Sequence, residues 1–520
     1  MGTHSESDRG RRHDGIIRNV MHLGAGQVAT TTLTIMLTAV IARTLGATDF
    51  GLLYFIGSIS TFAYVFVDWG HGPYIIREVA RHPDRSGELL GSALVVRTLT
   101  SLIVCVLAVI GAHLLGYDDR TRTLTAVRIL SLVPCYLGLS FTWVFRGRER
   151  MDYDALLNTV FKLGNLVFSV LCLMAGGRLL ALLLATSLAG VVTCVIALVV
   201  YKRMHLSPIR ATVRTARELA QDGAPMMAMS LAVAVQPYLD ANILYRFAPA
   251  GVMGWYGAAW NIGGTLVAPA MILGATMYPR LSRAAGDLHQ FRRVLRAAFR
   301  PLLFLAVLGG VGTYLFADVA IALIYSKQKF GPAGSILKAL APALVLLYMD
   351  MLFGHAILAA GKAGRLAVAK IGAVVVTTAL EFILIPYCQA RYGNGGLGVV
   401  LAMGAGEFVM VCAVVVLIRE AVDRGMLFDV GRALASGAAT VLVLRSLPSI
   451  TPFVEIPLCV LLFLGCAVVT GLVGRQDFEL LGSALTRRAP AAPATVPVGG
   501  GDVISPALSA PVDPPSDRAR

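Results

Sequence analysis

The chain has 520 residues, 57% of them hydrophobic and only 14% charged, with a formal net charge of +15 and a mean hydropathy of +0.73. That is more apolar surface than a water-soluble core of this length can hide, so the excess faces lipid. Nucleic-acid binding is not implied by the positive charge, because no soluble stretch is long enough to form a basic module. Long unbroken apolar runs without two-residue alternation exclude a spanning β-barrel.

In chain order, residues 1–15, "MGTHSESDRGRRHDG", are charged and lack a signal-peptide core, as expected of a cytoplasmic tail. Apolar runs of roughly 18 to 25 residues then mark membrane-spanning helices. Fourteen are predicted, centred near residues 30, 62, 103, 135, 165, 190, 235, 265, 312, 349, 376, 407, 438 and 463. In the first, Gln27, Thr31, Thr34 and Thr38 follow at spacings of four, three and four and so share one helical face. Such a stripe suits a hydrated cavity wall or ordinary polar contacts between helices equally.

A gapless offset of 203 residues aligns Arg43 with Arg246, Ala47 with Ala250, Gly51 with Gly254, Arg77 with Arg280, Asp84 with Asp287 and Arg97 with Arg300. In a chain this poor in charge, those identities indicate an internal repeat. Residues 16–201 then form an N-terminal lobe of helices 1–6 and residues 223–420 a C-terminal lobe of helices 7–12. Six spans is an even number, so the copies enter the membrane in the same orientation, as parallel repeats about an axis along the membrane normal. Residues 202–222 between them place Leu206, Ile209, Val213, Ala216 and Ala220 at helical spacing beside Arg210, Arg214 and Arg217. This predicts an amphipathic linker helix in the cytoplasmic interface. Residues 430–474 hold two extra helices, 13 and 14, and residues 485–520, rich in Pro, Ala, Gly and Ser, read as a disordered cytoplasmic tail.

Arginine distribution sets the expected orientation. Arg77, Arg81, Arg85, Arg146, Arg148, Arg150, Arg210, Arg214, Arg217, Arg280, Arg283, Arg292, Arg293, Arg296 and Arg300 all fall on the side of the amino terminus. By the positive-inside rule both termini are cytoplasmic. The eight cysteines lie in or beside spans without metal-ligand spacing and read as small hydrophobic residues. Neither a metal nor a cofactor is expected, and no phosphate-binding "GxxxxGK[ST]" loop is present.

Charges within spans are functional suspects because each costs a few kcal/mol or more to bury in lipid. Arg97 lies about 9 Å in from the cytoplasmic end of the third span and Lys162 about 12 Å into the fifth. Lys370 is shallower, and it and Arg97 can also snorkel to the interface. Asp350 and Glu407 fall near the midplane, Asp240 and Glu381 toward the outer half. Asp240 is six residues from Arg246, outside the usual three- or four-residue pairing, so its partner is expected on another helix. These acids can be structural pairs or sites for a coupling ion.

The stretches "ARTLGATDFGLLYF", "GPYIIREVAR", "FRGRERMDYDALLNTVFKLGN", "LDANILYRFAPAGVMGWYGAAWNI" and "YSKQKFGPAGSILKALAPALVLLYMDMLFGHAILAAGKAGR" together resemble the bacterial polysaccharide flippases of the multidrug, oligosaccharidyl-lipid and polysaccharide exporter superfamily. The resemblance covers roughly residues 16–420. It implies an all-α integral membrane fold with two six-helix lobes around a central, often cationic cavity. It also implies translocation of an undecaprenyl-pyrophosphate-linked oligosaccharide to the outer leaflet by alternating access, for surface polysaccharide biosynthesis in the bacterial cytoplasmic membrane. Arg97 and Lys162, with Arg300 and Lys370 as weaker candidates, would then attract the diphosphate. Partners would be the lipid-linked substrate, membrane lipid, and a polysaccharide polymerase or other assembly proteins. A proton- or sodium-coupled small-molecule exporter of the same superfamily is the competing reading and would emphasise the four acids. An integral-membrane enzyme is disfavoured by short outer connections and by the lack of any catalytic set.

Overall fold

The structure, a computed structural model, describes residues 4–447 and 451–473, with side chains from residue 31 onward except that of Ala275. The expected tail at 485–520 and the side chain of Gln27 lie outside the described residues. Fifteen helices follow in order: α1 (His4–Asp68), α2 (His71–Arg81), α3 (Ser86–Leu114), α4 (Asp119–Gly147), α5 (Met151–Met174), α6 (Leu179–Arg203), α7 (Val213–Phe247), α8 (Ala250–Ala284), α9 (Leu288–Ile324), α10 (Lys327–Phe330), α11 (Ala333–Ala359), α12 (Ala363–Tyr392), α13 (Gly395–Leu417), α14 (Arg424–Ser446) and α15 (Pro452–Val469). Among the described residues there is no strand. Helix α1 already begins inside residues 1–15.

Among the described residues, twelve stretches are long and apolar enough to cross a membrane. The first of them holds two helices, because α1 turns at Gly46 (φ 80°, ψ 179°), a conformation open to glycine and not to residues with a Cβ. Helix α7, with Pro225 and Pro237 inside it, adds one more crossing, since α6 ends on one face of the membrane and α8 starts on the other. The predicted spans are thus all present as helices. Their ends define an arginine-rich face, with the connections near residues 82, 149, 205 and 286, and an arginine-poor face, with Gly46 and the connections near 116, 177, 248 and 331.

The buried apolar residues divide unevenly between the two faces. At the arginine-poor face one core joins both lobes, from Ile41, Phe50 and Phe55 to Leu244, Met253, Tyr256, Phe330 and Leu344. Toward the arginine-rich face there are separate cores. One gathers Ile75, Leu89, Phe141, Phe145 and Tyr201 of the N-terminal lobe. The other gathers Leu295, Phe299, Phe353 and Met410 of the C-terminal lobe, with Phe463 of α15. The lobes are therefore fused at one end and individually packed at the other.

The fusion rests on repeat mates. A methyl group on Gly51 would overlap the Ala250 carbonyl and Gly254 backbone, and one on Gly254 would overlap the Ala47 carbonyl. Ala47 and Gly51 correspond to Ala250 and Gly254 under the 203-residue offset, so each copy presents the same small-xxx-small surface to the other. This is self-complementary contact about an axis along the membrane normal, the geometry of parallel repeats.

The linker departs from expectation. Residues 202–222 are not one surface helix: Lys202 and Arg203 finish α6, residues 206–212 are non-helical, and α7 starts at Val213. The strap is clamped to the start of α3 by hydrogen bonds that a free helix would forgo. The Arg210 amide donates to the Gly87 carbonyl (3.2 Å), the Gly87 amide to Ser207 Oγ (2.9 Å), and the Thr212 amide to Ser92 Oγ (3.1 Å). Arg85 also pairs with Glu218 of α7 (2.8 Å). Backbone groups satisfied by a neighbour outweighed the modest stabilisation a short interfacial helix would gain.

Two outcomes test this architecture. Gly51→Val or Gly254→Val forces the helices apart and is expected to destabilise the protein by roughly 1–3 kcal/mol, read as a lower thermal midpoint in detergent, with little effect from Gly111→Ala, which meets open space. Asp118 caps α4 at the arginine-poor face, accepting from the Thr121 hydroxyl (2.5 Å) and amide (3.3 Å), and these bonds hold its carboxyl below the usual range. Asp118→Ala is expected to cost about 1 kcal/mol at neutral pH. Because the folded-state value is depressed, that contribution is present above about pH 3.9 and is lost as pH falls through the lower folded value, so the variant and parent midpoints converge in acid.

Candidate functional site

Below the glycine contact, toward the arginine-rich face, the facing helices change character. On α1, Tyr54, Ser58, Thr61, Tyr64 and Asp68 follow at spacings of four, three, three and four, a polar stripe on one face. Its first half carries Thr31, Thr34 and Thr38, and the facing α8 carries Asn261 and Thr265. Thr38 donates to the Thr34 carbonyl (3.0 Å), and it and Asn261 reach Tyr325 at the end of α9. A Cβ added at Gly57 of α1 or Gly264 of α8 would meet nothing within 4 Å, in contrast to the overlap at Gly51 and Gly254. Polar stripes, open space beside them and separate cores at this end describe lobes that are less closely joined toward the arginine-rich face, where the end of α1 still meets α7 through Trp69 and Gly70 against Ala220 and Gly223.

The structure sorts the suspected cations into committed and uncommitted groups. Arg97 is only 1% exposed and does not snorkel. It donates to the Tyr136 carbonyl (2.9 Å), Ser140 Oγ (2.6 Å) and the Tyr64 hydroxyl (2.9 Å), pairs with Asp68 (3.1 Å), and sits 4.4 Å from the Trp143 ring. It is an internal tie of the N-terminal lobe, an outcome favoured because a guanidinium in low dielectric must be paired and hydrogen-bonded. Its repeat mate Arg300 is tied differently, to the fully buried Asp429 of α14 through Nε (2.8 Å) and Nη2 (3.1 Å). The resemblance makes Arg97, and less strongly Arg300, candidates for diphosphate attraction; in the structure both hold helices together. Lys370 pairs with the buried Asp350 (3.0 Å).

Lys162 differs. It lies eleven residues in from Met151 on α5, about 16 Å deep, and among the described residues it meets no acid. Arg128 of α4 is within its electrostatic range and likewise has no carboxylate partner, its Nε buried without an acceptor. Sequence reasoning does not single out Arg128, although "TAVRILSLV" places it well inside the fourth span. Two unpaired cations near one another at mid-membrane depth are costly unless water or an anion reaches them.

The acids cluster in the C-terminal lobe. Asp240 of α7 lies beside the Glu381 carboxyl of another helix, α12, and accepts from the Gln236 amide, while both Glu381 carboxylate oxygens are buried without a hydrogen-bond partner. Both acids are buried, and two carboxyl groups placed side by side in low dielectric oppose each other's charge. Tyr54 of the opposite lobe lies in their field and packs on Gly257 beside Tyr256. Glu407 of α13 faces the Asp350–Lys370 pair. Among the described residues no three His, Cys, Asp or Glu side chains converge as metal ligands would.

Comparison with known proteins places this geometry. Residues 16–285 match the family model described as "Polysaccharide biosynthesis protein". A candidate O-antigen transporter of Escherichia coli (strain K12) is 21% identical over 346 residues, 65% of this chain and 82% of that protein. Its counterpart in Shigella dysenteriae is 20% identical, over 54% of this chain and 71% of its own length. Among solved structures, the lipid II flippase MurJ in an inward closed conformation superposes with a TM-score of 0.65 at 13% identity, covering 91% of this chain and all of that one. An inward-facing multidrug resistance MATE family transporter of the MOP superfamily gives 0.61 at 14% identity, covering 78% and 98%. These two likenesses concern the fold. With a family model matching more than half its length, this multi-pass membrane chain belongs to the polysaccharide biosynthesis protein family.

Proposed function

We propose that the protein is a flippase that carries a lipid-linked oligosaccharide of the undecaprenyl-pyrophosphate type from the cytoplasmic to the outer leaflet by alternating access. The arginine-rich face is taken as cytoplasmic on the positive-inside rule, so the described state opens inward and is closed by the glycine contact on the outer side. The observation that carries the reading is the pair Arg128 and Lys162, cations that meet no carboxylate among the described residues at the depth a diphosphate must cross. The three remaining suspects already have acids: Arg97 has Asp68, Arg300 has Asp429 and Lys370 has Asp350. A diphosphate entering low dielectric needs charge-assisted donors, and the sugars need a wet polar wall of the kind that α1 and α8 present. Outward movement of the anionic head is assisted by a cytoplasm-negative potential, about 2.3 kcal/mol per charge per 100 mV. The candidate O-antigen transporters and the lipid II flippase, by their names, support a lipid-linked cargo over a free solute. On this reading the polymer-assembly machinery receives the product at the outer leaflet.

A second reading, a proton- or sodium-coupled exporter of small molecules, is favoured by the Asp240–Glu381 pair and by the MATE likeness. It is weaker because Asp350 is already paired with Lys370 and because Asp240 and Glu381 are buried beside each other within the C-terminal lobe.

The test is replacement of Arg128 and Lys162 by Gln, singly and together, at matched membrane abundance. Charge-assisted contacts contribute about 1.5–3 kcal/mol each, so each single variant is expected to slow export by roughly tenfold or more, with surface polysaccharide falling and lipid-linked precursor accumulating inside. Arg97→Gln is expected instead to lower the amount of folded protein. Full export by the double variant would remove the carrying observation, and uptake of organic cations by vesicles, abolished by Asp240→Asn, would favour the exporter.

A further inference from the structure

The two lateral seams between the lobes are not equivalent. On one, the second half of α1 runs antiparallel to α7 and is closed at seven-residue steps. Phe55 stacks on Tyr245 (centroids 3.8 Å apart), Phe62 stacks on Tyr238 (4.3 Å), and the Trp69 indole donates to the Ala220 carbonyl (2.9 Å). The repeat mates of the two ring pairs are Ala258 with Ala42 and Thr265 with Ile35, so the opposite seam has no ring closure.

Outside this aromatic closure, on the side of α1 turned away from its polar stripe, lies an apolar cavity of about 370 Å³ walled by α1, α3 and α7. Phe66, Trp69, Val104, Ala108 and Tyr238 line it. Along α3 it extends from Thr100 to Leu115, about 22 Å at 1.5 Å per residue, more than half of a hydrocarbon core about 30 Å thick. The neighbouring surface of α3 exposes Leu99, Leu102, Val106 and Ile110, which places the opening in the bilayer. At its arginine-rich end the cavity stops at Trp69, two residues before α2, an amphipathic helix that buries Tyr74, Ile75 and Val79 and exposes Arg77 and Arg81.

We propose that this cavity binds one hydrocarbon chain of an anionic membrane phospholipid, whose headgroup lies on the exposed arginines of α2. The lining is almost wholly apolar, and its Thr100, Trp69 and Tyr117 polar groups are already bonded within the protein, so most hydroxyls of a glycan head would be left unpaired there. The stacked rings stand between the cavity and the polar stripe, so the chain enters from the bilayer and is not the tail of a molecule whose head occupies the interlobe space. Two arginines on an interfacial helix attract an anionic headgroup, each contributing about 1 kcal/mol. The site is independent of which cargo the protein carries.

The experiment is native mass spectrometry of the full chain released from membranes in mild detergent, with the retained lipids extracted and identified. One tightly held phosphatidylglycerol or other anionic phospholipid per chain is expected. Ala108→Trp combined with Gly111→Phe fills the cavity, Gly111 facing open space, and is expected to reduce retention at least fivefold. Ala108→Leu, a smaller change that keeps the protein folded should the double variant fail, is expected to reduce it about twofold. Arg77→Gln with Arg81→Gln is expected to keep an adduct but abolish the preference for phosphatidylglycerol over phosphatidylethanolamine in reconstituted vesicles. Undiminished retention in Ala108→Leu, or recovery of a polyprenyl phosphate in place of phospholipid, would overturn the proposal.

Discussion

Contact between two pairs of small residues, Ala47 and Gly51 against Ala250 and Gly254, is the constraint from which the rest of the molecule follows. In a membrane there is no hydrophobic drive to bring helices together, so close backbone approach and dispersion must supply the attraction. Only glycine permits that approach here, and because the residues are repeat mates, one short motif serves both sides of the interface. Held at one face, the lobes can separate at the other, where each has a core of its own. A shared core at both ends would have produced a rigid body with no route between helices.

Charge placement follows the same division of labour. The N-terminal lobe holds Arg97 with its own Asp68, whereas the C-terminal lobe borrows Asp429 from α14 for the equivalent Arg300, which docks the extra helix pair onto the repeat. The duplicated halves therefore kept the cation and changed the acid that satisfies it. They diverged again at Asp240, whose mate is Leu37, and the new acid found Glu381 rather than a cation. What remains is an N-terminal lobe with two cations that meet no carboxylate among the described residues and a C-terminal lobe in which the acids gather, one of them paired with Lys370. That asymmetry, more than the net charge of +15, is what supports the proposal of an anionic head as cargo.

The strap at residues 206–212 shows how an apolar period can mislead. Leu206, Ile209 and Val213 have helical spacing, yet the segment is non-helical because the start of α3 offers Gly87 and Ser92 as partners for its backbone. The same logic applies to Arg97, where depth in a span suggested ligand contact. Its acid lies at the end of α1, twenty-nine residues earlier in the chain, and its rings come from α1 and α4. Arg128 was legible in principle, being an arginine well inside an apolar run, but its lack of a partner was not.

The membrane class, the number and order of spans, the arginine asymmetry and the duplication were all determined by the sequence alone. Each is a property of local composition or of comparison along the chain, and lipid enforces it segment by segment. Which charges are spent inside a lobe, which seam is sealed by rings, and that the lobes share a core at one face and keep separate cores toward the other were decided only by the tertiary structure. Those outcomes depend on which side chains from distant helices come within about 3–4 Å of each other, and at that range pairing, burial and overlap change the free energy by more than any local preference can.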